Sequence, residues 1–159
     1  LEKLEAGKVE TRFEDTNFHH YCEEITEEMQ SVAKVGQEII FNYIGNQVAY
    51  IDKTLMRHIL VNLLNNAIKY SPENSKIDFE VTNDSSIHIK IKDYGIGIPK
   101  EDQQHLFERF FRAGNVTAIQ GTGLGLNIVQ RYIHKLNGTI TLTSIENEGS
   151  TFNITLPKS

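Results

Sequence analysis

The stretch Asp52-Lys-Thr-Leu-Met-Arg-His-Ile-Leu-Val-Asn-Leu-Leu-Asn-Asn-Ala-Ile-Lys-Tyr70 decides how this chain folds. Its apolar residues Leu55, Met56, Ile59, Leu60, Leu63, Leu64, Ala67 and Ile68 recur in pairs four apart, the period of a helix with one buried stripe. Asp52 offers an N-cap and Ser71-Pro72 a stop. Opposite the stripe stand Asn62, Asn65, Asn66 and Lys69, within about 100° of the helix circumference. Asparagine in a helix costs up to about 0.7 kcal/mol relative to alanine, so a cluster of them weakens the helix unless it binds something. Amide oxygens are hard neutral ligands that suit Mg²⁺, and Lys69 would neutralise a phosphate beside them. A merely solvated polar face is the alternative.

Outward from this helix, Phe18 to about Lys34 reads as an acidic amphipathic helix ending near Gly36. Residues 39–44 and 48–51 are short β-branched runs around Gly45-Asn46, the pattern of a hairpin. Downstream come strands over 76–82 and 87–93, an irregular segment over 94–122, a helix over 124–136, and closing strands over 139–143 and 151–156. Interleaved helices and strands give an α/β (α+β) class, with one layer of helices on a mixed sheet. An irregular segment of this length in a small domain is a lid or binding loop, or else a misread element.

In the strand over 87–93, Ile87, Ile89 and Ile91 alternate with His88, Lys90 and Lys92. Asp93 shares the parity of the isoleucines and so points inward. A buried carboxylate is costly unless hydrogen-bonded. At a strand end it could accept from an exocyclic amine such as that of adenine, or it could cap the turn before Gly95.

The chain has 159 residues, 39% of them hydrophobic and 23% charged, which is one soluble globular domain with a sufficient core. No apolar run approaches the roughly 18 residues of a membrane span. One cysteine, Cys22, excludes an internal disulfide and a Cys-cluster zinc site and fits a reducing compartment. The net charge of −5 starts a nucleic-acid reading weakly. Between Glu108 and Glu146 there is no acid, only Arg109, Arg112, Arg131 and Lys135 among five glycines. Such a segment suits a small polyanion. Within it, Gly121-Thr-Gly-Leu-Gly-Leu126 opens a helix, where crowded amides and the helix dipole favour an anion. The spacing fits neither a Rossmann fingerprint nor a Walker loop. The first residue is Leu1, so the chain is expected to be a piece of a longer protein.

Taken together, these segments resemble the ATP-binding catalytic domain of bacterial sensor histidine kinases, within the gyrase–chaperone–kinase–mismatch-repair ATPase superfamily. The N box stands as His58-Ile-Leu-Val-Asn-Leu-Leu-Asn-Asn-Ala-Ile-Lys-Tyr70 and the first glycine box as Asp93-Tyr-Gly-Ile-Gly-Ile-Pro99. The F box is Leu106-Phe-Glu-Arg-Phe-Phe-Arg112, the second glycine box Gly121-Thr-Gly-Leu-Gly-Leu126, and the closing motif Gly149-Ser-Thr-Phe152. Leu4-Glu-Ala-Gly7 resembles the exit from a dimerisation helix. Any one box is weak, but five in order are specific.

The resemblance implies a Bergerat fold, a two-layer sandwich whose mixed, mostly antiparallel sheet is backed by about three helices. It implies ATP and Mg²⁺ as cofactors. Residues 1–9 would end the dimerisation helix and linker, and 10–159 would be the catalytic domain, with an ATP lid at about 100–120. Asn66 would hold the metal with Asn62 nearby. Lys69 and Arg112 would meet the phosphates, and Tyr70 would line the pocket. Asp93 would take the adenine amine, helped by Gly97 and Thr151. Gly95, Ile98, Phe107, Gly121, Thr122, Gly123, Leu124 and Gly125 complete the nucleotide site so implied.

ATPase members of the superfamily carry a Glu four residues before the metal Asn, where this chain has Asn62. An amide is no general base near neutral pH. The site should therefore present the γ-phosphate without rapid hydrolysis, with Asn62, Lys69 and Arg112 as its catalytic set. The family's phosphoacceptor is a His followed by Glu, and none of the six histidines here has that neighbour. The resemblance thus implies as partners a dimerisation and phosphoacceptor domain outside this chain and, downstream, a response regulator. It implies no nucleic acid and no direct membrane contact for what would be a cytoplasmic domain, and leaves open whether the parent is membrane-anchored. A superfamily ATPase or serine kinase, and a degenerate nucleotide-binding regulator, are the other readings.

Overall fold

The Asp52 side chain opens the helix that organises the fold. One carboxylate oxygen accepts the amides of Thr54 and Leu55 at 3.0 Å each, and the other accepts the Arg12 amide at 2.8 Å. Such a cap is worth about 1 kcal/mol. The computed structural model describes residues 10–107 and 125–158. In chain order these form β1 (Glu14–Asn17), α1 (Phe18–Ser31), β2 (Glu38–Gly45), β3 (Val48–Ile51) and α2 (Lys53–Lys69). There follow β4 (Lys76–Asn83), β5 (Ser86–Asp93), the short α3 (Lys100–Gln103), α4 (Leu126–Lys135), β6 (Thr139–Ile145) and β7 (Gly149–Pro157).

Five strands make one sheet in the order β2-β4-β5-β7-β6, with β2–β4 parallel and the other pairs antiparallel. The inward residues of the central strands, among them Ile77, Phe79, Ile89, Ile91, Phe152 and Ile154, pack with the apolar stripes of α1, α2 and α4 in one core. Outward-facing residues such as Lys76, Glu80 and His88 are exposed, so the helices form a single layer. This is the α/β sandwich expected, with its mixed and mostly antiparallel sheet.

One expected pairing is corrected. β2 and β3 do not form a hairpin: β2 runs parallel to β4, with Ile39 opposite Ile77 and Phe41 opposite Phe79. β3 instead pairs with β1, placing Glu14 opposite Ile51. The reason is Asn83, which is almost wholly buried. Its side-chain amide donates to the Asn46 and Val48 carbonyls at 2.6 and 3.1 Å, while its backbone carbonyl takes the Asn46 backbone amide at 2.8 Å. The chain is thereby turned out of the sheet after Gly45. The strand β1, Glu-Asp-Thr-Asn, has no apolar alternation and gave no signal of its own. Residues 1–9, expected to be a helix end and linker, lie outside the described residues.

Candidate functional site: a buried carboxylate at the end of an apolar slot

Where α2 and β5 end side by side, a cavity of about 30 Å³ lies between Asn66, Tyr70, Asp93, Ile96, Gly97, Ile98, Ser150 and Phe152. Its walls are apolar, apart from Asn66, Asp93 and Ser150. A wider groove of about 480 Å³ adjoins it, sharing Tyr70 and Ile96 and bordered by Lys34, Lys69 and Gly95.

Asp93 points inward as its parity requires and is only 8% exposed. Its Oδ1 accepts the Gly95 amide at 3.0 Å, and the Ser150 backbone N–H also bonds to the carboxylate. Burial pushes its pKa up from 3.8 to about 6, more than those two amides pull it down. A carboxylate kept here against that cost gives an apolar slot one strong acceptor. Such a slot suits a flat heteroaromatic ring bearing an amine.

The three asparagines of α2 part company. Asn65 is exposed and Asn62 half-buried, whereas Asn66 is buried at 9% exposure and lines the cavity. Asn66 Nδ2 donates to Asn62 Oδ1 at 3.3 Å. Gly125, at the start of α4 with φ +68°, lies so near Asn62 that an added Cβ would come within 2.6 Å of its amide nitrogen. Thus Asn62 stands between Asn66 and the last glycine of the second glycine box. Amide groups meet there beside a helix start, a donor set fit for a hard cation and phosphate oxygens.

The loop after Asp93 is held tightly. A Cβ on Gly95 would collide with the Tyr70 carbonyl oxygen, and one on Gly97, which has φ +65°, with that of Ile145. The Tyr70 carbonyl also accepts the Ile96 amide at 3.1 Å. Tyr70 and Ile98 are buried against the cavity, and Phe107 is half-buried against the core. Lys69 borders the groove rather than the cavity, its ammonium 6.0 Å from the Tyr70 ring centre.

Thr151, expected beside the amine, is paired with Lys92 and Thr143 and is not among the residues lining the cavity, whereas Ser150, opposite Asp93, is. Arg112, Gly121, Thr122, Gly123 and Leu124, with the rest of the F box beyond Phe107 and most of the expected lid, lie outside the described residues. Sequence reasoning missed Ser150, Ile96 and Phe152. The alternation of the closing strand, inward at 152, 154 and 156, would have assigned Ser150 and Phe152 to the inner face.

A model of the family described as histidine kinase-, DNA gyrase B-, and HSP90-like ATPase matches residues 51–159. The adaptive-response sensory kinase SasA of Rippkaea orientalis is 32% identical over 97% of this chain and 42% of its own length. The sensor histidine kinase WalK of Bacillus subtilis is 38% identical over 67% of this chain and 18% of its own. This chain therefore spans less than half of either relative. Among solved structures, the catalytic domain of histidine kinase ThkA, in a nucleotide-free form, superposes with a TM-score of 0.77 at 28% identity, covering 93% of this chain and 97% of that one. Fold, motif order and relatives agree, and the chain belongs to the histidine kinase-, DNA gyrase B-, and HSP90-like ATPase family, as a catalytic domain of the sensor histidine kinase type.

Proposed function

We propose that this domain binds ATP with Mg²⁺ and presents the γ-phosphate to a histidine on a separate dimerisation domain, in a two-component signalling pathway that ends on a response regulator. The observation that carries the reading is Asp93, a buried carboxylate facing an apolar slot. Its oxygen accepts the adenine amine while Tyr70, Ile98 and Phe152 cover the ring faces. Asn66 holds the cation with Asn62 beside it, and Lys69 and Arg112 neutralise phosphate charge. Bound Mg²⁺ supplies further charge neutralisation on the phosphates. The remaining contribution of the protein is alignment, on which phosphoryl transfer depends most. Gly121 to Gly125 offer backbone amides to the same anion.

Asn62 separates transfer from hydrolysis. With no carboxylate there, water is not activated, and the acceptor histidine must be brought by another domain. No helix among the described residues is long and apolar enough to cross a membrane, and we place the domain on the cytoplasmic side, where ATP is supplied.

The test is calorimetric titration with a non-hydrolysable ATP analogue, with and without Mg²⁺. One saturable site, strengthened by Mg²⁺ and lost in Asn66→Ala while the melting profile persists, is the expected result. Steady phosphate release without any acceptor domain would instead favour an ATPase.

A further inference from the structure

The turn joining β6 to β7 is strapped to the loop that follows Asp93, and the strap centres on a residue not yet given a role. The Asn147 amide donates to the Ile96 carbonyl at 2.6 Å. Ser144 Oγ accepts the Ile98 amide at 2.8 Å and lies 3.0 Å from the Gly149 carbonyl and 2.8 Å from Ser150 Oγ. A hydroxyl has one proton and two lone pairs. All three contacts are therefore satisfied at once: Ser144 donates to Gly149, and accepts from Ile98 N–H and from the Ser150 hydroxyl. Gln103, the last residue of α3, closes the arrangement by donating Nε2 to the Ile98 and Ser144 carbonyls at 2.9 and 3.0 Å.

These contacts reach two sides of the slot. Ile98 forms one wall, and Ser150 the other, where its backbone N–H bonds Asp93. One half-buried hydroxyl on β6 thus ties together the wall, the neighbour of the carboxylate and the root of α3. We propose that Ser144, backed by Gln103, is a positioning residue for the nucleotide. It holds Ile98 and Ser150 at the spacing the base requires and fixes the point from which the segment after Pro99 departs. The proposal rests on reading the slot as the nucleotide site.

The test uses this chain with Ser144→Ala, Ser144→Thr and Gln103→Met. It measures affinity for the non-hydrolysable ATP analogue and site-resolved amide hydrogen exchange. Removing the Ser144 hydroxyl, and with it all three contacts, is expected to weaken binding roughly 3- to 10-fold, with faster exchange at Ile98 and unchanged exchange in β4 and β5. Ser144→Thr keeps the hydroxyl and restores both, and Gln103→Met lowers affinity by a smaller factor. Wild-type affinity in Ser144→Ala overturns the proposal, as does faster exchange in β4 and β5 in step with Ile98, which would mark a general loss of stability. Should the unsubstituted chain fail to bind the analogue, the nucleotide reading falls and the proposal with it. Loss confined to the substituted chains is the result that supports both.

Discussion

Two chain reversals frame the slot, one leaving α2 at Tyr70 and one leaving β5 at Asp93, and they are anchored by different chemistry. The first is gripped by long polar side chains reaching across from the α1–β2 turn. Gln37, 4% exposed, places Nε2 within 3.1, 3.2 and 3.1 Å of the carbonyls of Ile68, Ser71 and Pro72, and its oxygen takes the Lys34 amide at 2.8 Å. Lys34 sends its ammonium to the carbonyls of Lys69 and Ser71 at 2.9 and 2.7 Å. These groups meet the orphan carbonyls of a helix C-terminus, where positive charge is favoured. The second reversal has one buried side-chain bond of its own, from the Gly95 amide to Asp93 Oδ1, and is otherwise held by backbone bonds, close glycine packing and the half-buried Ser144 and Gln103. The difference teaches that α2 supplies a wall fixed by side chains from a distant turn, and the loop after β5 a wall fixed mostly by backbone packing and by β6.

Gln37→Ala is the strongest way to break that contrast. It would strand up to three carbonyls, and each unsatisfied buried group costs about 1–3 kcal/mol. Shared donation and the Lys34 ammonium reduce the sum, so a loss of about 2–4 kcal/mol is expected, read by urea unfolding. A loss no larger than that of Ser144→Ala would mean that the two walls are equally fixed.

Asp93, at the root of the second reversal, should show stability and binding pulling apart. At about 1.4 kcal/mol per pKa unit, a rise from 3.8 to about 6 amounts to roughly 3 kcal/mol against the ionised form. The folded state holds the proton more tightly than the unfolded one. The Asp93 contribution to stability therefore rises as pH falls from about 6 towards 4, and its cost is fully present at pH 7. Asp93→Asn keeps an acceptor for the Gly95 and Ser150 amides and should stabilise the chain by about 1–3 kcal/mol at pH 7. It also turns a donor towards the base, so affinity should fall by about two orders of magnitude. In the unsubstituted chain, affinity should decline below about pH 6 as the carboxylate protonates. Calorimetry and thermal melts across pH 5–8 check both slopes. A destabilised Asp93→Asn would show the carboxylate to be structural.

What the sequence disclosed follows the reach of each interaction. The α2 stripe was legible because helix periodicity is local, and so was the inward turn of Asp93, because strand parity is. The β2–β3 hairpin was misread because Asn83, far along the chain, decides where the strand leaves the sheet. Gln37 and Ser144 could not be found at all, since the bonds by which they frame the slot, to the carbonyls of Ile68, Ser71 and Pro72 and to the Ile98 amide, reach more than thirty residues along the chain. Strand alternation, being local, also separates Ser150 and Phe152 on the inner face from Thr151 between them.

The finest distinction lies inside α2, where Asn65 and Asn66 are neighbours with different surroundings. Asn66 is buried at the cavity and bonded to Asn62, while Asn65 faces solvent one residue away. If the last turn of α2 is a fixed wall, a change on its outer side transmits nothing to the slot. Asn65→Ala then gains only helix propensity, a few tenths of a kcal/mol and at most about 0.7, with affinity for the ATP analogue unchanged. Paired urea melts and titrations resolve this. Weaker binding in Asn65→Ala would put the exposed asparagine into the site as well. It would also show that the wall held by Gln37 and Lys34 yields to changes on its surface.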